Sequence, residues 1–166
     1  MITISLCMIV KNEEKVLARC LDSIADLMDE IIIVDTGSSD NTKEIAKKYT
    51  DKIYDFAWID DFSAARNYSF SKATKEYIYV ADADEVIDAD NHRKLAELKE
   101  VLIPEIEIVQ MRYCNQLTNG TAYNFDEEYR PKLYKRQREF TWIEPVHEMV
   151  RLDPVVYDSE IDILHM

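Results

Sequence analysis

Tyr77-Ile78-Tyr79-Val80-Ala81-Asp82-Ala83-Asp84-Glu85 is the stretch that decides how this chain folds. An apolar, β-branched run gives way abruptly to alternating carboxylates. Tyr77–Val80 has the length and composition of a short buried strand. Open α/β sheets hold their ligands at the carboxyl ends of their strands. Asp82, Asp84 and Glu85 would gather there more negative charge than a folded core absorbs. Two carboxylates one residue apart suit a hard divalent cation, which takes oxygen ligands and shares them with a substrate's phosphates. A solvated acidic turn is the plain alternative when Asp-x-Asp is read alone, so the flanking sequence has to arbitrate.

Toward the N-terminus the same grammar recurs. Residues 2–10 are β-branched and loosely alternating, a first strand running into Lys11-Asn12-Glu13-Glu14. Leu17, Leu21, Ile24 and Met28 then fall on one helical face, with Glu13 and Glu14 placed to suit the helix dipole. Ile31-Ile32-Ile33-Val34 is too uniformly apolar for a strand with a wet face, as expected of a parallel sheet covered on both sides. It ends in a small, polar turn, residues 35–42, with a helix cap near its close. A helix through Ile45, Ala46 and Tyr49 and a strand over 53–56 follow, and then a helix opening within 60–67 and ending near Lys72. Beyond the central strand, Leu95, Leu98 and Leu102 mark a helix closed off before Pro104. Alternating strands and helices predict an α/β fold with a mostly parallel, doubly wound sheet.

After Pro104 the pattern changes to a smaller β-rich part. Strands are expected over 106–114, 121–125 and 130–135, with Asn119-Gly120 as a hairpin signal. Arg130, Lys132, Lys135, Arg136 and Arg138 read as the solvated face of an edge strand, a phosphate contact being the other reading. The last residues, Ile161-Asp162-Ile163-Leu164-His165-Met166, are strand-like again, as in a domain cut from a longer chain.

Composition narrows the function. The chain has 166 residues, 47% hydrophobic and 32% charged, and only 2 glycines, which fits one domain without a flexible linker. A net charge of -13 speaks against a nucleic-acid surface or an anionic membrane as partner. Cys7, Cys20 and Cys114 are widely spaced among apolar residues, fitting reduced core thiols of a cytoplasmic protein better than disulfides or zinc ligands. No stretch approaches the ~20 apolar residues of a membrane span, and no leader pattern opens the chain. Neither a Gly-x-Gly-x-x-Gly fingerprint nor a Walker loop is present.

In a parallel sheet the clusters at 11–14, 35–40 and 82–85 converge on one edge. There Asp35 could accept hydrogen bonds from a base or ribose, and Gly37 would allow close backbone approach. Residues 6–14, 31–42, Ala65-Arg66-Asn67 and Ala81-Asp82-Ala83-Asp84-Glu85, in that order and spacing, resemble family-2 glycosyltransferases of the GT-A fold. The segment 142–148 and Ile163-Leu164-His165 are similar to a bacterial branch whose catalytic domain often precedes helical repeats. In that branch a Gly-Tyr pair usually follows the terminal His, so the chain reads as truncated there.

The resemblance implies a single GT-A catalytic domain over 1–166. Residues 1–103 would bind the nucleotide-sugar and 104–166 the acceptor. The donor is usually UDP-linked. The acceptor would be a glycan, a lipid-linked sugar or a peptide. Val10, Lys11, Asn12 and Glu14 would line the nucleoside, Asp35 bond the base, Gly37 sit beside it, and Arg66 approach base or phosphate. Asp82 would meet the ribose or the metal, and Asp84 would hold Mn²⁺ or Mg²⁺ against the diphosphate, with His165 completing the coordination. Glu148 would be the base of an inverting transfer, oriented by His147 or sharing the acceptor site with it. The family often carries Pro and Tyr where this chain has Ile9 and Lys11. Plainer roles stay open: Glu148 as a rim carboxylate, His165 as an exposed side chain, His147 as a structural histidine, and Arg66 pairing with Asp60 or Asp61. A nucleotidyltransferase would share the sheet but open on a Gly-rich loop. A catalytically inactive nucleotide- or cation-binding module would keep the fold without turnover.

Overall fold

The computed structural model of the chain describes residues 1–58, 61–103, 105–116, 122–123, 129–136 and 156–165. In β1 (Ile4–Val10) the side chains of Ile4, Leu6, Met8 and Val10 enter one core, while Cys7 and Ile9 enter a second on the other face. A strand apolar on both faces belongs in the middle of a covered sheet, and β1 lies between β2 (Glu30–Asp35) and β4 (Tyr77–Val80), parallel to both. β3 (Ile53–Asp55) adds to the far side of β2. The order β3-β2-β1-β4 reverses direction between β1 and β4. That reversal opens a crevice beyond the carboxyl ends of those strands.

α1 (Leu17–Ile24) buries Leu17, Cys20, Leu21 and Ile24, and a 3-10 turn, Ala25–Leu27, ends it before Met28. Glu13 and Glu14 precede the helix rather than forming its first turn. α2 (Thr42–Ala46) is a single short helix with Tyr49 beyond it. α3 (Phe62–Lys72) is capped by Asp61, whose side chain accepts from Ala64 N at 3.1 Å. α4 (Ala89–Val101) is capped by Asp88 in the same way, at 2.9 Å from Asn91 N.

The remaining strands extend the sheet past β4. β8 (Tyr129–Lys135) runs antiparallel to β4, followed by β6 (Ile108–Gln116), β9 (Val156–His165) and the two-residue β5 (Glu85–Val86), while β7 (Ala122–Tyr123) pairs only with β6. β8 is therefore an interior strand, hydrogen-bonded on both sides, and the edge expected for it is not found. Its residues Lys132, Leu133 and Tyr134 are all buried: Leu133 and Tyr134 enter the two opposite cores, and a bulge opposite Val109 and Gln110 interrupts the alternation at Lys132. The last strand begins at Val156, five residues before the expected start. Asn119-Gly120 and the segment 142–148 lie outside the described residues.

Among the described residues no helix is long and apolar enough to cross a membrane.

Candidate active site

β1 and β2 end in register, Val10 opposite Asp35, so their loops leave the sheet side by side. The two loops are stitched together. Asn12 N donates to Ser38 Oγ at 2.9 Å, Ser39 N to Asn12 Oδ1 at 2.8 Å, and Glu13 N to Thr42 Oγ1 at 2.8 Å. Asn12 takes a φ of 52° to do this, a left-handed conformation that Asn tolerates better than most residues. Glu14 is exposed and receives Asn41 N at 3.1 Å, so it faces the neighbouring loop, and Glu13 lines the crevice in its place.

Asp35 is buried at the end of β2. Its Oδ1 accepts from Gly37 N and Ser38 N, both at 2.8 Å, which fixes the turn. Its Oδ2 is buried and, among the described residues, has no hydrogen-bond partner. Leaving a buried acceptor unpaired costs about 1–3 kcal/mol, a cost that a ligand N–H would remove. Gly37 has φ 110°, and a Cβ there would meet nothing within 4 Å. The glycine thus serves the backbone angle, which an L side chain rarely adopts.

Across the crevice, Arg66 rises from α3, buried, and its guanidinium donates to Asp82 Oδ1 at 2.9 Å. It thus pairs with the acidic motif, and Asp60, the other partner expected for it, lies outside the described residues. Desolvation opposes ionisation of Asp82, but the charges of Arg66 and Lys132 and the Arg66 hydrogen bond outweigh it, holding the carboxyl below its ordinary 3.8. Glu13, facing the same acids, is pushed up by desolvation and by the charges of Asp84 and Asp82. Lys11 and Val10 reach the crevice wall, and Trp58 and Phe62 form its mouth with ring centroids 4.7 Å apart. No motif marks this aromatic pair in the sequence beyond the four-residue spacing of Trp58 and Phe62 at the start of α3. The crevice encloses about 490 Å³.

β9 delivers the last component. Glu85 of β5 pairs with His165, and this sets His165 Nε2 2.6 Å from Asp84 Oδ2 across 81 residues of sequence. The imidazole lies against the Tyr113 ring at 5.3 Å between centroids, and the Arg130 guanidinium covers that tyrosine at 3.7 Å. Glu85 itself is not part of the exposed charge. It is buried and bonded to Lys132 Nζ at 2.5 and 3.0 Å, so the core does absorb this carboxylate, and Lys132 is no surface residue. Glu148 and His147 lie outside the described residues.

Among the described residues, no three acidic, histidine or cysteine side chains are gathered closely enough to hold a metal ion alone. Asp84 and His165 supply one carboxylate and one imidazole at the crevice, with Asp82 close by in sequence. That set fits Mn²⁺ or Mg²⁺, which commonly take few protein ligands and complete their shell with phosphate oxygens and water.

A parallel sheet with a reversal in strand order, and acids grouped at that reversal, define an α/β domain with a ligand crevice at its switch point. Residues 5–150 match the glycosyl transferase family 2 model, and the chain belongs to that family. It is 36% identical over 150 residues to a TPR repeat-containing protein of Synechococcus elongatus, covering 90% of this chain and 36% of that one. It is 41% identical over 125 residues to the SPbeta prophage-derived glycosyltransferase SunS of Bacillus subtilis, covering 74% of this chain and 29% of that one. The chain thus spans about a third of the length of these relatives. Among solved structures, glucosyl-3-phosphoglycerate synthase of Mycobacterium tuberculosis, crystallised with Mn²⁺ and UDP-glucose, superposes with a TM-score of 0.55 at 22% identity. The overlap covers 68% of this chain and 44% of that one. The shared architecture is GT-A, and the chain is a family-2 glycosyltransferase domain.

Proposed function

We propose that this domain binds a UDP-sugar with a divalent cation and transfers the sugar, with inversion, to an acceptor nucleophile. The observation that carries this is that His165, from the distant strand β9, meets Asp84, which lines the crevice with Asp82, while Asp35, with its unpaired Oδ2, ends the strand β2 next to β1. Support comes from the Mn²⁺ and UDP-glucose held by the mycobacterial relative in fold. Residues 1–103 act as the donor half and 104–166 as the acceptor half, in the cytoplasm, where the free thiols of Cys7 and Cys20 stay reduced.

Asp35 Oδ2 accepts the base N–H, and Val10 and Lys11 line the nucleoside. Arg66 holds Asp82 toward the ribose or the cation, and Asp84 and His165 hold the cation itself. When bound, the cation supplies Lewis-acid stabilisation of the diphosphate. The acceptor nucleophile forms a bond to the anomeric carbon as the carbon–oxygen bond to phosphate breaks. The electron pair leaves with UDP, and the acceptor's proton passes to a carboxylate on the opposite face of the sugar. Glu148 is assigned that role and His147 its orientation. The acceptor is a glycan, lipid-linked sugar or peptide nucleophile.

Calorimetric titration of UDP with Mn²⁺ and with EDTA, on the native chain and on Asp84→Ala, tests this reading. Binding that needs Mn²⁺ and is lost in Asp84→Ala supports it. No binding in either condition overturns it, and binding without turnover of any UDP-sugar would favour an inactive module.

A further inference from the structure

We propose that Glu85 and Lys132 form a positioning pair that fixes the geometry of the Asp82–Asp84 motif for the cation. This rests on the donor-site reading above. Glu85 is the third acid of the cluster and reaches no ligand space. Its side chain and that of Lys132 are 5% and 6% exposed, and Lys132 Nζ contacts both carboxylate oxygens. A buried pair of this kind is a poor source of stability, because desolvating both charges offsets most of their attraction. Its connections give it another role.

Glu85 Oε1 also accepts from Asp82 N at 3.0 Å, and Glu85 N donates back to Asp82 O at 3.0 Å. The turn from 82 to 85 is therefore closed by both backbone and side chain of one residue. Cys20 Sγ, its thiol held protonated by burial with a pKa pushed up to about 12, reaches the same Asp82 carbonyl at 3.5 Å. On its other side Glu85 pairs with His165 in the β5–β9 ladder. One residue thus sets the backbone under Asp82, the turn carrying Asp84 and the strand carrying His165. Lys132 comes from β8, next to β4, and holds the Glu85 carboxylate in the rotamer that reaches Asp82 N.

The test compares two double variants that both remove the buried charges. Glu85→Met with Lys132→Met leaves Asp82 N without an acceptor, whereas Glu85→Gln with Lys132→Met restores an oxygen of similar reach. Both are checked for fold by circular dichroism and thermal melting, then titrated with Mn²⁺ in the presence of UDP and with UDP in EDTA. The expected result for the Met pair is a roughly tenfold weaker Mn²⁺ affinity, the range seen when partners behind metal ligands are removed. The Gln variant recovers Mn²⁺ affinity to within about threefold of native, and UDP binding in EDTA is absent from native and variants alike. Native Mn²⁺ affinity in the folded Met pair overturns the proposal, as does a Gln variant as weak as the Met pair. Should the Met pair not fold, hydrogen exchange of the Asp82 amide in the native chain decides, since an unprotected amide overturns the proposal. A native chain that binds no Mn²⁺ with UDP refutes the donor-site reading itself and is separately recognisable.

Discussion

The two ends of the central sheet carry acids in similar density and treat them in opposite ways. Below β2, at the amino ends of the strands, a hollow of about 580 Å³ exceeds the 490 Å³ crevice at the carboxyl ends. At the lower end the buried Glu30 and the more exposed Asp29 are both answered from within. Glu30 accepts from Ser5 Oγ at 2.7 Å, from Thr74 N and Oγ1 at 2.9 Å each, and from Lys52 Nζ. Asp29 accepts from Ile4 N at 2.9 Å and Lys99 Nζ at 2.8 Å. At the upper end Asp35 Oδ2 has no partner among the described residues, and Asp84 is met by the imidazole of His165. Cavity size would select the wrong end. Acids with mutually perturbed charge select the crevice, where Asp82 is held ionised against desolvation by Arg66, and Glu13 is pushed up by desolvation and by Asp84 and Asp82.

Mutations at the two ends should therefore separate binding from stability. The largest effect belongs to Asp84→Ala, expected to weaken Mn²⁺-dependent UDP binding about 100-fold, with unfolding free energy shifted by less than about 0.5 kcal/mol. Calorimetry and denaturant unfolding on the same sample read both, and a large stability loss would break the contrast. Next is Asp35→Asn, which keeps an oxygen for Gly37 N and Ser38 N but replaces the unpaired acceptor with a donor. A lost hydrogen bond to a charged acceptor corresponds to roughly 10- to 100-fold in UDP affinity. An unchanged affinity would remove Asp35 from the site.

At the lower end Glu30→Gln should cost about 1 kcal/mol of stability, a modest figure because the half-exposed Lys52 can be solvated. UDP affinity should stay within about twofold, since nothing links Glu30 to the crevice. Desolvation pushes the Glu30 carboxyl up, but hydrogen bonds from Lys52, Ser5 and Thr74 prevail and depress it from 4.5 to about 2 in the fold. A depressed carboxylate contributes its stability above its unfolded value and loses it as pH falls through its folded one. Native protein should consequently lose more stability than Glu30→Gln between pH 4.5 and about 2, as followed by urea unfolding across that range. Parallel curves would show that the hydrogen bonds around Glu30 do not favour its charged form.

The upper end was the more legible of the two in sequence, and the reason is local. Strands such as 31–34 and 77–80 are apolar on both faces, and the polar residues that end them stand out against that background. Asp35, Asp82 and Asp84 could be found in this way, and the parallel sheet brings them to one edge, whereas Arg66 on α3 was anticipated only by the family resemblance. His165 meets Asp84 through a pairing 81 residues apart, which only the family resemblance anticipated. Lys132 and Glu85 were misjudged for a physical reason: a lysine in a basic stretch and a glutamate in an acidic one each look solvated. Their burial depends on each other and on a bulge that no residue in β8 advertises. Nothing in the sequence singles out Trp58 and Phe62, since the crevice they border exists only once α3 has docked on the sheet.

The stitching of the β1 and β2 loops has a practical side. Ser38, Ser39 and Thr42 on one loop hold Asn12 and Glu13 on the other, so the wall proposed to face the nucleoside is a single exchangeable cassette. Grafting a new base preference into this domain by changing one loop would leave the partner loop's donors and acceptors without their counterparts. Residues 10–14 and 35–42 would have to be transplanted together, as matched halves of one mould.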